Sequence, residues 1–359
     1  MYGMEQKKRI VFTGGGSAGH VTPNIALIER LQQEGWEVHY IGTESGMEKE
    51  LISHMPGVEY HAVSAGKIRR YFSWQNFMDP FRVLKGMRQS KKLISGLSPD
   101  VVFSKGGYVS VPVVMAAGKT PVVAHESDFT PGLANRIASR FTDHICVSFE
   151  DTLRNISAGK GVFTGTPIRP ALYTGDKARA MHMTGFRGAK PVLLVMGGSL
   201  GAQKLNELLR QALPKLLPRY DVIHLCGRGK LDESLHPDGY VQYEYIEDEL
   251  PDLFALADIV LSRAGANAMF ELLALQKPAL LIPLPKASSR GDQTQNARYF
   301  EKKGYALCLE QEEATPDTIV RMLDALYANR ESFIHAMQQE PCADGTDKIL
   351  SIIREAAKP

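Results

Sequence analysis

Two glycine-rich turns carry the residue types best suited to holding a phosphate, Gly14-Gly15-Gly16-Ser17-Ala18-Gly19-His20 and Met196-Gly197-Gly198-Ser199-Leu200-Gly201-Ala202. Each follows an apolar run and opens an amphipathic stretch, which reads as strand, tight turn, helix. Glycine lets the turn backbone take positive φ and approach a ligand, and the unpaired amides of the following helix favour an anion. His20 falls at a helix start, where the helix field disfavours imidazolium, so a neutral ring able to accept a proton is expected. The plainer reading is a histidine that braces the loop. The first turn also satisfies G-x-G-x-x-G, a weak signal by itself. A nicotinamide site would want an acidic residue at the end of the second strand, and Glu44 instead falls inside another turn, 42–46.

In the second half, polar groups recur at the ends of successive apolar runs. Gly197, Gly198 and Ser199 offer amides and a hydroxyl to phosphate. Arg263 and Ala264 precede Gly265-Ala266 at a helix start, and the guanidinium suits a pyrophosphate. Glu271 lies on that helix among Phe270, Leu272 and Leu273, surroundings that argue against a merely solvated carboxylate and for one accepting both hydroxyls of a ribose. Residues 289–296, SRGDQTQN, open a further helix with groups suited to sugar hydroxyls. N-capping by Ser289 or Asp292 would explain only one of them.

These groups need a frame, and the pattern supplies an α/β one. Strands are expected at 9–13, 37–41, 60–64, 100–104, 121–125, 144–148 and 161–164, with helices at 21–33, 75–93, 109–117 and 133–140. A breaker-rich stretch from Gly165-Thr166-Pro167 to about Lys190 reads as a linker. The alternation then resumes, with strands at 192–196, 222–226, 241–245, 259–262, 279–282 and 306–309. Helices are expected at 204–217, 250–257, 266–275, 293–303 and 317–327, and again beyond 344. Alternating strands and helices imply parallel sheets, so two doubly wound domains are expected. The expected domains are 1–165, the linker 166–190, a second domain 191–340, and a last helical stretch, 341–359, crossing back to the first. At 359 residues, 23% charged and 44% hydrophobic, the chain has the size and composition of a two-domain globular enzyme rather than a disordered chain.

The net charge of +2 hides an uneven distribution. Residues 67–92, KIRRYFSWQNFMDPFRVLKGMRQSKK, hold eight Lys or Arg against Asp79 alone. Arg69, Arg70, Lys91 and Lys92 are interleaved with Phe72, Trp74, Phe77 and Phe81, a combination suited to an anionic membrane surface. The alternative is a helix whose aromatics face its own core. Nucleic acid is disfavoured, because no binding motif accompanies the patch. Cys146, Cys226, Cys308 and Cys342 are widely spaced and read as core thiols of a reducing cytoplasm. Eight residues before the first strand leave no room for a signal peptide, and no apolar run approaches the roughly 20 residues of a membrane span, so a peripheral protein is expected.

Taken in order, GGGSAGH, KGGYVSVP, HESD, GTPIR, GGSLGAQ, SRAGANAMFE and RGDQTQNA resemble the motifs of the MurG family of GT-B glycosyltransferases over most of the chain. The resemblance implies two Rossmann-like domains facing a central cleft. It also implies inverting transfer of N-acetylglucosamine from its UDP donor to undecaprenyl-pyrophosphoryl-muramoyl-pentapeptide, at the cytoplasmic face of the membrane, in peptidoglycan synthesis. It places Ser199 and Arg263, with Ala264, at the diphosphate, Ile246 near uracil, Glu271 at the ribose, and Gln293 and Asn296 at the donor sugar. Arg169 approaches the donor from the hinge. Ser17, Ala18 and Gly19 line the cleft with Asp128, and His20 is the base, with Tyr108 as second candidate. Partners would be the UDP donor, the lipid acceptor, the anionic inner membrane surface and cell-wall synthesis proteins. No cofactor or metal is expected: no Asp-x-Asp pair occurs, and any Mg²⁺ effect would be secondary. The chain departs from the family's GGTGGH, HEQN and GNPIR at Ser17-Ala18, Ser127-Asp128 and Thr166. Asp128 thereby puts a charge where an amide would meet sugar. Three other activities keep this architecture: transfer to another lipid such as diacylglycerol, UDP-sugar epimerisation or hydrolysis, and non-catalytic binding of UDP-sugar.

Overall fold

The computed structural model describes residues 7–66, 75–198, 202–246, 248–285 and 291–358, with the backbone alone for 75–78. The chain forms two units, one of Met1–Ile168 with Asp344–Pro359 and one of Arg169–Ala343. In the first, seven parallel strands stand in the order β3-β2-β1-β4-β5-β6-β7. They are β1 (Arg9–Thr13), β2 (Glu37–Gly42), β3 (Val58–Ala62), β4 (Val101–Ser104), β5 (Val122–Glu126), β6 (His144–Val147) and β7 (Gly161–Phe163). Between them run α1 (Thr22–Gln33), α2 (Met47–Ile52), α3 (Gln75–Leu97), α4 (Ser110–Ala116) and α5 (Leu133–Ala138). A strand covered on both faces has to be apolar throughout, and the central strands read IVF and VVF for that reason. One face packs Ile10, Phe12, Leu27 and Tyr40, and the other packs Val11, Ile41, Val102 and Val113.

The second unit begins with α6 (Lys177–Thr184) and builds a six-stranded parallel sheet, ordered β10-β9-β8-β11-β12-β13. Its strands are β8 (Val192–Met196), β9 (Asp221–Leu225), β10 (Tyr240–Tyr243), β11 (Ile259–Ser262), β12 (Ala279–Leu281) and β13 (Ala306–Cys308). Its further helices are α7 (Gln203–Leu216), α8 (Leu250–Leu256), α9 (Ala266–Ala274), α10 (Asp292–Lys302), α11 (Pro316–Ala328) and α12 (Arg330–Gln338). The final helix, α13 (Thr346–Ala356), belongs to the first unit. Its Ile349, Leu350 and Ile353 are fully buried in the core that holds Ile10 and Phe12.

The stretch read as a linker is largely structured. Asp176 caps α6 by accepting from the Ala178 and Arg179 amides at 2.7 and 3.3 Å, and Gly185 closes the helix at φ 72°. Asp252 on α8 accepts from the Asp176 amide at 2.6 Å and from Arg179 Nη2 at 2.8 Å, tying α6 into the second unit. The third strand lies two residues earlier than expected, because its ladder starts where Val58 pairs with Val38. All four cysteines are buried free thiols, and among the described residues no helix is long and apolar enough to cross a membrane.

Candidate active site

In each sheet the strand order reverses at one place, between β1 and β4 in the first and between β8 and β11 in the second. Crossovers leave in opposite directions there, which opens a crevice at the strands' carboxyl ends where doubly wound sheets take ligands. In the first sheet Thr13 and Ser104 pair at that end, and the two loops that follow, 14–20 and 105–108, meet over it. Gly16 has φ 86°, and a Cβ there would lie 2.5 Å from the Tyr108 ring; Gly107 has φ 78°, and a Cβ there would lie 2.2 Å from the Gly15 carbonyl oxygen. Only glycine lets the loops interlock so closely. The His20 ring lies beside Gly107, and its Nδ1 is 2.7 Å from Ser17 Oγ. His20 ends a short 3₁₀ turn, Ala18–His20, ahead of α1.

A residue the sequence reading passed over holds this loop. Glu48, on α2 and fully buried, accepts from the Gly16 amide at 3.1 Å and the Thr43 amide at 3.0 Å, and also from the Thr43 hydroxyl. Tyr40, donating to the Gly14 carbonyl at 2.8 Å, fixes the loop from β2. A cavity of about 690 Å³ opens alongside, lined by Thr43, Ser45, Ser64, Arg82, Lys85 and Tyr108 among others. Two cations against the single carboxylate of Glu44, with several hydroxyls, suit an oxygen-rich anionic ligand.

Behind the same loops lies a buried charged cluster. Lys105 is 1% exposed and donates from Nζ to Ser127 Oγ. Burial brings its ammonium down to about 8, against the pull of Glu126 and Asp128 in the other direction. Glu126 is satisfied by the Asp128 amide at 3.0 Å, the Gly132 amide at 2.9 Å and Asn135 Nδ2 at 2.9 Å. His125 donates Nε2–H to the Gly165 carbonyl at 2.9 Å, and burial holds it well below the ordinary imidazole value, hence neutral. The departures at Ser127, Asp128 and Thr166 are absorbed in this region. Ser127 receives Lys105, Asp128 lies in the ammonium's field, and buried Thr166 shares a 2.6 Å hydrogen bond with Ser148. Charged residues at the ends of apolar strands, K after VVFS and HE in VVAHE, are the signal that marks this cluster in the sequence.

In the second unit β8, β11 and β12 are neighbours, so their carboxyl ends lie side by side. Glu271 faces Arg169, with Nη2 3.3 Å from Oε1, and burial raises its carboxyl while Arg169 opposes the rise. The Arg263 guanidinium donates to the Ile282 and Pro283 carbonyls at 3.0 and 3.3 Å and to Gln311 Oε1 at 2.7 Å. Asn296, also fully buried, donates to the Ala264 carbonyl at 3.3 Å, and Ala264 itself has no exposed surface. Loop carbonyls brought indoors need donors, and these two side chains supply them. Gln293 accepts from the Leu284 amide at 3.0 Å, and Ile246, partly buried, follows Tyr245, whose ring carries the Arg228 guanidinium at 4.9 Å.

Of the basic and aromatic segment, Arg69, Arg70, Phe72, Trp74 and the Phe77 side chain lie outside the described residues, as does Ser199. The described part of α3 turns Phe81 outward at 67% exposure and Leu84 at 40%, with Lys85, Arg88, Lys91 and Lys92 also exposed. The alternative of aromatics facing the core does not hold for Phe81.

Residues 10–147 match the glycosyltransferase family 28 N-terminal domain, and residues 192–351 match the family's C-terminal domain. The chain belongs to glycosyltransferase family 28. Within that family it is 52% identical to the UDP-N-acetylglucosamine--N-acetylmuramyl-(pentapeptide) pyrophosphoryl-undecaprenol N-acetylglucosamine transferase of Clostridium perfringens, over 98% of this chain and 99% of that one. The enzyme of the same name from Lachnoclostridium phytofermentans is 53% identical over 97% of this chain and 99% of its own length. The crystal structure of MurG from Acinetobacter baumannii superposes with a TM-score of 0.76 at 27% identity, covering 97% of this chain and 99% of that one. The resemblance read from the seven motifs is thus borne out, and so is the fold of two Rossmann-like units. As a family 28 member the chain is a glycosyltransferase.

Proposed function

We infer that this chain transfers N-acetylglucosamine from UDP-N-acetylglucosamine to the C4 hydroxyl of undecaprenyl-pyrophosphoryl-N-acetylmuramoyl-pentapeptide, a step of peptidoglycan synthesis that serves cell-wall growth, cell shape and division. The observation that carries this is the likeness to transferases of that name at about half identity over nearly the whole length of both chains. In this reading the second unit binds the UDP donor, with Glu271 taking the ribose hydroxyls after exchanging part of its contact with Arg169. The amides of Gly197 and Gly198 meet the diphosphate, together with Ser199. The first unit receives the acceptor, its pyrophosphate in the cavity beside Arg82 and Lys85.

The reaction is a single displacement. The C4 oxygen attacks the anomeric carbon, the bond to UDP breaks with its electron pair on the departing phosphate, and the proton goes to His20 Nε2. For that role Nδ1 must carry a hydrogen, and Ser17 Oγ at 2.7 Å is placed to accept it. Charge on the leaving diphosphate is met by loop and helix amides, with any Mg²⁺ effect secondary. The exposed Phe81 and Leu84, ringed by Lys85, Arg88, Lys91 and Lys92, support peripheral attachment to the anionic inner surface of the membrane where the lipid acceptor resides.

The test is incubation with labelled UDP-N-acetylglucosamine and a lipid I analogue, following UDP release and glycolipid together. UDP without glycolipid would indicate hydrolysis or epimerisation, product on diacylglycerol alone another acceptor, and neither product a binding protein. His20→Ala is expected to lower turnover about a hundredfold with UDP affinity retained. Near-normal turnover would leave His20 a loop brace and move attention to Tyr108.

A further inference from the structure

Away from the switch point, at the edge of the first sheet, four titratable side chains of β2 and β3 converge. His39 pairs with Glu59 across the ladder and Ile41 with His61, so His39, Glu59 and His61 share one face. His39 Nδ1 lies 3.1 Å from His61 Nε2 and 3.4 Å from Glu59 Oε2, while Glu59 Oε1 is 3.8 Å from His61 Nε2. On its other side His39 Nε2 is 2.9 Å from Glu37 Oε1, and Glu37 Oε2 accepts from Arg9 Nη2 at 2.7 Å.

The protons decide what this arrangement can do. An ionised carboxylate only accepts, so Glu37 fixes the hydrogen of His39 on Nε2 and leaves the Nδ1 lone pair aimed at the point shared by His61 and Glu59. A carboxylate on the far nitrogen of an imidazole is the arrangement that orients ligand histidines in metal sites. At a metal–nitrogen distance of about 2.0–2.1 Å, tetrahedral geometry puts two ligand nitrogens about 3.3 Å apart, close to the spacing here. With the His39 hydrogen on Nε2, a hydrogen bond between the rings leaves Glu59 Oε2 3.4 Å from the unprotonated Nδ1, lone pair facing lone pair, and a cation between them relieves that contact. Two imidazoles with one carboxylate favour zinc and its first-row neighbours over magnesium or calcium, which take oxygen donors.

We propose that His39, His61 and Glu59 bind one divalent first-row transition-metal ion, zinc being the type, with Glu37 as the residue that positions His39. His39 is 2% exposed and His61 14%, whereas Glu59 is 67% exposed, so the ion enters from the Glu59 side and keeps a solvent ligand there. Bound, it fastens the edge strand β3 to β2. This site was not expected from the sequence, since ligands at 39, 59 and 61 come together only through the strand pairing.

The experiment uses the full chain, stripped with a chelator and titrated with Zn²⁺ by calorimetry in buffers of different ionisation enthalpy, and with Co²⁺ by visible absorption. Expected are one ion per chain, proton release on binding, ligand-field bands with Co²⁺, and a higher Tm with Zn²⁺. His61→Gln and Glu59→Gln should each weaken Zn²⁺ binding by about tenfold or more, and Glu37→Gln by about tenfold. His236→Gln, at an exposed histidine of the other unit, should leave it unchanged. Because Glu59 is largely exposed, its variant keeps the test valid if His61→Gln folds poorly. No Zn²⁺ uptake by the parent chain, or equal affinity in the parent and the ligand variants, would overturn the proposal.

Discussion

Glu48→Gln tests whether the first glycine loop is held in place by one carboxylate. Glu48 is fully buried, its two oxygens accepting from the Gly16 amide, the Thr43 amide and the Thr43 hydroxyl. Glutamine keeps one acceptor oxygen and turns an NH₂ toward the remaining donors, so at least one backbone amide loses its charged acceptor. Such a bond is worth about 1.5–3 kcal/mol, and since Gly16 is exposed and Thr43 partly buried, water replaces part of it and a loss of about 2 kcal/mol is expected. For a unit of this size that lowers Tm by roughly 4–8 °C. Calorimetry should resolve it as a shift of the first unit's transition, with the second unit's transition unmoved. Turnover should fall as well, because Gly16 backs the Tyr108 ring and Tyr108 lines the cavity proposed for the acceptor, while UDP affinity should hold. A Tm within about 1 °C of the parent would refute the reasoning, since it would mean the three donors find other acceptors at no cost. A fall in UDP affinity equal to the fall in turnover would refute the assignment of the two ligands to separate units.

Glu271→Ala should weaken UDP binding by about tenfold, or about 1.4 kcal/mol, with a smaller effect on turnover, and unchanged affinity by calorimetry would remove it from the donor site. Lys105 binds its proton more weakly folded than unfolded, at about 8 against 10.5. The unfolded chain therefore holds more protons between those values, and this group's contribution makes stability climb as pH rises through that window; Lys105→Met should flatten the climb in denaturant titrations. Asp128→Asn removes a carboxylate that favours the charged lysine, so it should move the start of the climb to lower pH while retaining glycosyl transfer. A drop in transfer of roughly tenfold would give Asp128 a role of its own. Reversing the charge at Arg69, Arg70, Lys91 and Lys92 should reduce cosedimentation with anionic vesicles and leave activity on a soluble acceptor intact. Unchanged vesicle binding at low salt would make the patch a solvated face.

Much of the frame is legible in the chain itself, because its signals are local. Apolar runs such as IVFT and VVFS can be satisfied only as strands covered on both faces, and glycines at 14–16 and 197–198 follow two of these runs where a turn must bend sharply. The α6 helix was legible too, through Asp176 as cap and Gly185 as stop, but the prolines before it gave the stretch the look of a linker. What the chain could not disclose are relations between residues far apart in it. Arg263 reads as a free cation after a strand, yet in the fold its guanidinium donates to the Ile282 and Pro283 carbonyls and to Gln311 Oε1, acceptors far from it in the chain. Glu48 reads as a surface residue of a short helix until α2 brings it beneath the Gly16 loop. His39, Glu59 and His61 are unremarkable in sequence and become a set only when the β2–β3 ladder fixes their register. Local backbone and burial demands thus follow from residue types and spacing, whereas the direction of a charged side chain is set by which unpaired polar groups the tertiary fold brings within its reach.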